Sequence, residues 1–381
     1  ALEAMNKPHI MANVMTPSFS QKRLVDALRK EIGQTRGECP FERFFCLNSG
    51  SEAVTLASRI ADINTRIMTD PGGRHASKPV RILSLKGSFH GRTDRPARFS
   101  DSTRPACCKY LASFRDYDNL LTVEPNNISQ LEQVFEYADK HQLFIEAFFM
   151  EPVMGEGNPG EAITPAFYTR ARELTREHGC LLLIDSIQAG LRAQGVLSIC
   201  DYPGFENLEA PDMETYSKAM NGGQYPLSVL ALNMSTAELY RAGVYGNTMT
   251  TNPRALDIAV AVLNSITPEL RQNIRDRGRE MFDKLTELQN ELGGSITKVQ
   301  GTGLLTSAEL DPDHFKNYGT NSTEEYMRKH GINVIHGGIN ALRFTPPFDI
   351  TSEQVDLIIE ATRDAIVNGP VKVAKATSEA A

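Results

Sequence analysis

The stretch Cys180-Leu-Leu-Leu-Ile-Asp-Ser-Ile-Gln188 constrains this chain more than any other. Four consecutive large apolar residues suit a central strand buried on both faces, the setting of a parallel sheet covered by helices. A carboxylate, Asp185, follows at the strand's exit. In open α/β sheets, ligands sit at the carboxyl ends of the strands. Alone, this aspartate reads equally well as a helix N-cap, so the remaining strand exits have to decide.

They supply a consistent series. Lys22 to Ile32 reads as an amphipathic helix stopped by Gly33. The short strand Phe44-Phe45-Cys46-Leu47 then runs into Asn48-Ser49-Gly50-Ser51-Glu52-Ala53 and a helix through Leu56 and Ile60. That order presents free N–H groups and the positive end of a helix dipole to an anion. The strand Val80–Leu85 exits into Phe89-His90-Gly91-Arg92-Thr93, and the strand Phe144–Met150 exits at Glu151-Pro152. A helix over 165–178 leads into the opening strand, and a further segment ends at Ser217-Lys218. Strand–helix alternation predicts a mostly parallel sheet with all these exits on one edge. Residues 94–120 read as irregular surface, and 253–292 as largely helical. Beyond Gly294 short strands and helices alternate, Ile296–Val299, Leu304–Leu310, Thr323–His330, Ile332–His336, Ala341–Phe344 and Ser352–Ile366. The fold class is therefore α/β, with a smaller α+β C-terminal domain. The expected division is an N-terminal segment 1–20, a large domain 21–265, a small domain 266–370 and a frayed tail 371–381.

Gly155-Glu-Gly-Asn-Pro-Gly160 satisfies the G-x-G-x-x-G dinucleotide fingerprint. Its last glycine should open a helix, yet Thr164-Pro165 places the next helix start later. It also follows the wrong strand, so a nicotinamide site is rejected.

Composition removes other classes. A formal net charge of −7 leaves no basic surplus for nucleic acid. No apolar run is long enough to span a bilayer, and no signal-peptide pattern opens the chain. The six cysteines include no Cys-x-x-Cys pair, which speaks against zinc and for reduced thiols in a cytoplasmic compartment, an organelle matrix included.

A strand-end aspartate, a lysine, an anion-binding helix start and an aromatic ring together suit pyridoxal 5'-phosphate. The lysine amine condenses with the cofactor aldehyde, the phosphate docks on helix N–H groups, and the aspartate keeps the pyridine nitrogen protonated. The released lysine then shuttles a proton.

The motifs, in this order from about residue 20 to about 366, resemble the class III pyridoxal-phosphate aminotransferases of fold type I, the group of ornithine, acetylornithine and 4-aminobutyrate enzymes. The resemblance implies phosphate contacts from Gly50 and Ser51, and Phe89 stacked on the pyridine ring beside His90. It implies Asp185 as partner of the pyridinium, Gln188 near the phenolic oxygen and Lys218 as the Schiff-base residue. Arg92 would hold a carboxylate remote from the reacting amine, and Arg343 an α-carboxylate. Glu156 would pair with Arg343 until a 2-oxo acid displaces it. Gly246-Asn-Thr248 resembles the segment whose threonine reaches the neighbouring subunit's phosphate, implying a homodimer with shared sites. The reaction implied is ping-pong transfer from an amino acid or ω-amine to a 2-oxo acid, 2-oxoglutarate or pyruvate. A racemase, aminomutase or decarboxylase on the same fold is the alternative, and a non-catalytic binding protein the remoter one.

The chain departs from the family pattern at three places. Ser186 stands where glutamate is usual, Leu191-Arg192-Ala193-Gln194-Gly195 replaces a Gly-Arg-Thr-Gly run, and Met249-Thr250-Thr251 replaces glycines and an aromatic. The N-terminal aromatic substrate contact of the family has no visible counterpart.

Overall fold

A computed structural model describes residues 16–115 and 118–372, together with Asn6 and Pro8. The anticipated tail lies outside the described residues from position 373 onward, as does most of the N-terminal segment.

Helix α1 (Phe19–Glu31) starts at Ser18, whose side chain accepts from the Gln21 N–H while the Gln21 side chain returns to the Ser18 N–H. That reciprocal cap satisfies two otherwise unpaired donors. Strand β1 (Arg43–Leu47) leads to α2 (Gly50–Thr69), capped in the same way by Ser49 and Glu52. Next come β2 (Val80–Leu85), the short helices α3 (Asp94–Phe99) and α4 (Arg104–Tyr110), and β3 (Leu120–Val123). Residues 94–120 are thus not the irregular surface the sequence suggests. Their helices are only one to two turns long, too short for an apolar period to be visible.

Helix α5 (Ile128–Lys140), β4 (Phe144–Met150), α6 (Pro165–His178), β5 (Leu181–Asp185), β6 (Met213–Tyr216) and β7 (Ser228–Leu232) complete a seven-stranded sheet. Its order is β1-β7-β6-β5-β4-β2-β3, and only β7 runs against the others. Every residue of β4 is buried, and Leu182, Leu183 and Ile184 of β5 have no exposed surface. Burial of each such side chain contributes roughly 1.5–3 kcal/mol, so the strand that aims Asp185 is firmly held.

After α7 (Met234–Leu239) and α8 (Pro253–Ser265), the long α9 (Pro268–Glu291) crosses to a four-stranded antiparallel sheet. It is built from β8 (Ile296–Thr302), β9 (Leu305–Leu310), β10 (Ile335–Gly337) and β11 (Ala341–Phe344), with α10 (Thr323–Lys329) and α11 (Ser352–Val367) beside it. Ile274, Met281, Leu285, Leu342 and Val355 share a core cluster there. The α/β architecture with a smaller α+β unit is the one anticipated.

Candidate active site

Because β1, β2, β4, β5 and β6 are mutually parallel, their exits meet on one edge of the sheet. There they surround a cavity of about 470 Å³, closed on one side by Arg343 from β11. Gly50, Ser51, Phe89, His90, Arg92, Glu156, Asp185, Gln188 and Lys218 all line it. Of the residues singled out from the sequence, only Thr248 does not line it.

Asp185 is buried at the cavity floor. His90 Nδ1 lies 2.9 Å from its Oδ2, and Oδ1 accepts from the Ile187 N–H and Thr215 Oγ1, both at 3.2 Å. The His90 ring is buried near Phe99 and Phe149, and its Nε2 has no hydrogen-bond partner among the described residues. Those surroundings assign the ring proton to Nδ1, donating to the carboxylate. His90 thus holds the aspartate in place.

Lys218 follows β6 after Ser217, with φ +46°, a left-handed conformation that costs a non-glycine residue of order 1–3 kcal/mol. Its Nζ donates to Gln188 Oε1. The side chain is open to the cavity, yet the surrounding walls strip it of water. That desolvation, aided by the Arg343 cation, lowers its pKa, with Asp185, Glu151 and Glu156 opposing. A lowered pKa favours the neutral amine that attacks an aldehyde.

At the start of α2, Glu52 takes the N–H groups of Asn48 and Ser49 on Oε2, at 2.8 and 3.2 Å. The Gly50 and Ser51 N–H groups have no acceptor among the described residues and face the cavity at the helix's positive end. Tyr245 and Asn247 donate to Glu52 Oε1 at 3.0 and 2.7 Å. The segment carrying Thr248 is therefore tied to this same turn, with Thr248 itself exposed.

The carboxylate-binding candidates are arranged differently from the sequence expectation. Glu156 Oε1 accepts from Arg92 Nη2 at 3.3 Å, and not from Arg343. Arg343 donates through Nη1 to the Gly155 carbonyl instead. With Arg343 Nη1 taken by a carbonyl, Glu156 has its ion-pair partner in Arg92. The Arg92 guanidinium also lies 5.3 Å from the centre of the Phe89 ring. Arg343 is buried, its Nε has no partner, and no carboxylate reaches ion-pair distance among the described residues. Burial lowers its pKa, partly offset by the negative fields of Glu156 and Glu151.

Two carboxyls were given no role by the sequence reading. Glu151, 2% exposed, accepts from the Phe89 N–H at 2.9 Å and the Gly155 N–H at 2.8 Å. It thereby joins the loop carrying the aromatic face to the loop carrying Arg343's acceptor. Burial pushes it up to about 7, with His90 lowering it and Asp185 raising it. Its only sequence signal was its place at a strand exit.

The second is Glu214, fully buried on β6. Ser186 Oγ donates to it at 2.5 Å, Ser198 Oγ at 2.6 Å and the Ile199 N–H at 3.0 Å. The glutamate absent at 186 thus has a counterpart delivered from the adjacent strand, where Ile184 pairs with Glu214. Burial pushes Glu214 up to about 7 against those hydrogen bonds. A carboxyl raised on folding stabilises while protonated, fully below its unfolded value of about 4.3, and this is lost as pH rises through about 7. Urea unfolding of Glu214→Gln should therefore match wild type near about pH 5 and exceed it by roughly 1–3 kcal/mol near about pH 8. A difference independent of pH would contradict the assignment.

The rejected glycine motif is an irregular loop here, and α6 starts only after the Thr164 cap. Gly157 packs on Gly87, whose carbonyl would lie 2.0 Å from an added Cβ. Close backbone approach explains this glycine without a phosphate.

Tested against pyridoxal phosphate, the donor set fits. A buried carboxylate, a desolvated amine, an aromatic wall and two unclaimed helix N–H groups share one cavity. Comparison with known proteins agrees. The family described as Aminotransferase class-III matches residues 2–366. An acetylornithine aminotransferase of Thermosynechococcus vestitus is 30% identical over 342 residues, covering 87% of this chain and 76% of that protein. Ornithine aminotransferase 2 of Staphylococcus aureus is also 30% identical, covering 83% of this chain and 73% of that one. The solved ornithine aminotransferase of Toxoplasma gondii superposes with a TM-score of 0.78 at 21% identity, over 96% of this chain and 80% of that chain. That likeness concerns the fold. The site chemistry and the family match lead to one identification: the chain belongs to the class III aminotransferases, pyridoxal-phosphate-dependent enzymes that transfer an amino group from an amine donor to a 2-oxo acid.

Proposed function

We propose that Lys218 anchors the cofactor and moves the proton of amino transfer, with Asp185 as partner of the pyridine nitrogen. The observation that carries this reading is their convergence in one cavity with the buried Arg343, which has no carboxylate partner among the described residues. Pyridoxal phosphate, when bound, supplies the electron sink for the carbanion that forms as the substrate C–H bond breaks. Lys218 Nζ would hold the cofactor and, as a neutral amine, would take and return the proton of the substrate carbon. Asp185, fixed by His90, keeps the pyridine nitrogen protonated. Phe89 would cover the ring, Gln188 would serve the phenolic oxygen, and Gly50 and Ser51 would bind the phosphate. Thr248 completes the phosphate site of a second copy, which makes the working unit a homodimer. The compartment inferred is the cytoplasm, an organelle matrix included.

Two cations define the substrate. Arg343 is buried and open to a carboxylate, which suits the 2-oxo acid acceptor, 2-oxoglutarate or pyruvate. Arg92, exposed at the cavity mouth, suits a donor whose carboxylate is remote from its reacting amine, as in ornithine-like compounds. The names of the relatives support that class. Glu156 screens Arg92 at rest and yields to the donor's distal carboxylate. Screening amine donors against both acceptors tests the substrate class. No turnover with any distal-carboxylate donor would sink it.

Arg343→Ala should raise KM for the 2-oxo acid by roughly 10–100-fold, the worth of a charge-assisted carboxylate contact. An amine donor without an α-carboxylate should lose much less. Equal losses in the two half-reactions would remove Arg343 from this role.

A further inference from the structure

We propose that Arg192 is a positioning residue for the substrate carboxylate: it pins the exit of the Arg343 strand to the loop that leaves the Asp185 strand. The proposal rests on the reading of Arg343 as the carboxylate-binding cation. Arg192 lies within the run where this chain departs from its family's pattern.

Arg192 Nη1 donates to the Pro346 carbonyl at 2.6 Å and the Leu304 carbonyl at 3.3 Å. The Leu304 N–H donates back to the Arg192 carbonyl at 3.0 Å. Its guanidinium lies 5.0 Å from the centre of the Phe348 ring. No carboxylate pairs with it among the described residues; its Nη1 is committed to backbone carbonyls and its guanidinium plane to the ring. Burial pulls its pKa down to about 10, and it remains charged at neutral pH.

Both ends of this clasp reach the cavity. On one side, Arg192 stands four positions after Gln188. The turns between are held by Gly190 N–H to Ser186 O at 2.8 Å and Ala193 N–H to Ala189 O at 2.9 Å. On the other side, Arg343 is followed by Phe344-Thr345-Pro346-Pro347. Proline fixes its own φ and restricts the residue before it, so Thr345 and Pro346 are both stiffened. A grip on the Pro346 carbonyl is therefore transmitted back to Arg343. Gly303 seals the junction: a Cβ there would meet the Ala193 carbonyl oxygen at 2.0 Å. The clasp thus sets the separation between the cation that reads the carboxylate and the residues that hold the cofactor ring. Small displacements of such a group are costly because binding depends on near-ideal geometry.

Calorimetric titration of the cofactor-loaded protein with glutarate, an unreactive dicarboxylate, tests this. Arg192→Met should weaken glutarate by about tenfold or more, while cofactor affinity stays within about twofold of wild type. Arg192→Lys, which keeps the charge and one carbonyl bond, should recover part of the loss, and it carries the test if Arg192→Met fails to fold. Glutarate affinity within about twofold of wild type in both variants, or a parallel loss of cofactor affinity, would overturn the proposal. Arg343→Ala separates the two readings. If it leaves glutarate binding intact, the Arg343 assignment fails and the Arg192 role with it. If it abolishes binding while Arg192→Met does not weaken it, only the Arg192 role falls.

Discussion

Lys218→Ala should lower amino transfer by roughly 10²–10⁴-fold from lost proton transfer alone, before any loss of covalent anchoring. The residue is specialised at every level. Its backbone is held at φ +46°, and its amine is desolvated inside a cavity that also holds a second cation. Both features cost folding energy, and local strain of this kind concentrates at functional positions. Alanine keeps the backbone strain, since it too carries a Cβ, but removes the desolvated amine, so the variant is expected to unfold at a temperature no lower than wild type while losing turnover. Loss of activity accompanied by a large drop in unfolding temperature would point to structural damage instead. Added small primary amines should restore part of the rate, because they can carry the missing proton; a full rate without them would exclude Lys218.

Asp185→Asn is the second large effect. The amide keeps the shape and can still accept from His90, which lies 2.9 Å from Oδ2. What it removes is the negative charge that keeps the pyridine nitrogen protonated. Loss of one preorganised electrostatic partner typically lowers kcat by roughly 10²–10³-fold. Since the ring serves donor and acceptor alike, both half-reactions should fall together. That symmetry separates Asp185 from Arg343, whose removal acts chiefly on the 2-oxo acid. A loss confined to one half-reaction would contradict the role given to Asp185.

The sheet and most of the site were legible because their signals are local. β2, β4 and α6 fall on the expected residues, being continuous apolar runs or well-capped periods. The turn at 48–53, Phe89 to Thr93 and Lys218 each lie shortly beyond a strand's end, where sequence neighbours are also cavity neighbours. What was not legible depends on contacts between distant segments. Ser186 looked like a lost carboxylate, but β5 and β6 pair so that Glu214 supplies one beside it. Glu156 had two arginines within its field, and it pairs with Arg92 while Arg343 takes the Gly155 carbonyl. Glu151 binds two N–H groups from separate loops, which no local pattern encodes. β7 is a short buried strand reversed between β1 and β6, and its five residues carry no signal of direction.

The most direct measurement is borohydride reduction of the cofactor-loaded protein followed by peptide mapping. The account predicts one stable adduct, on the peptide containing Lys218, and its disappearance when an amine donor is added before reduction. An adduct on any other lysine, or one that persists unchanged in the presence of the donor, would contradict it.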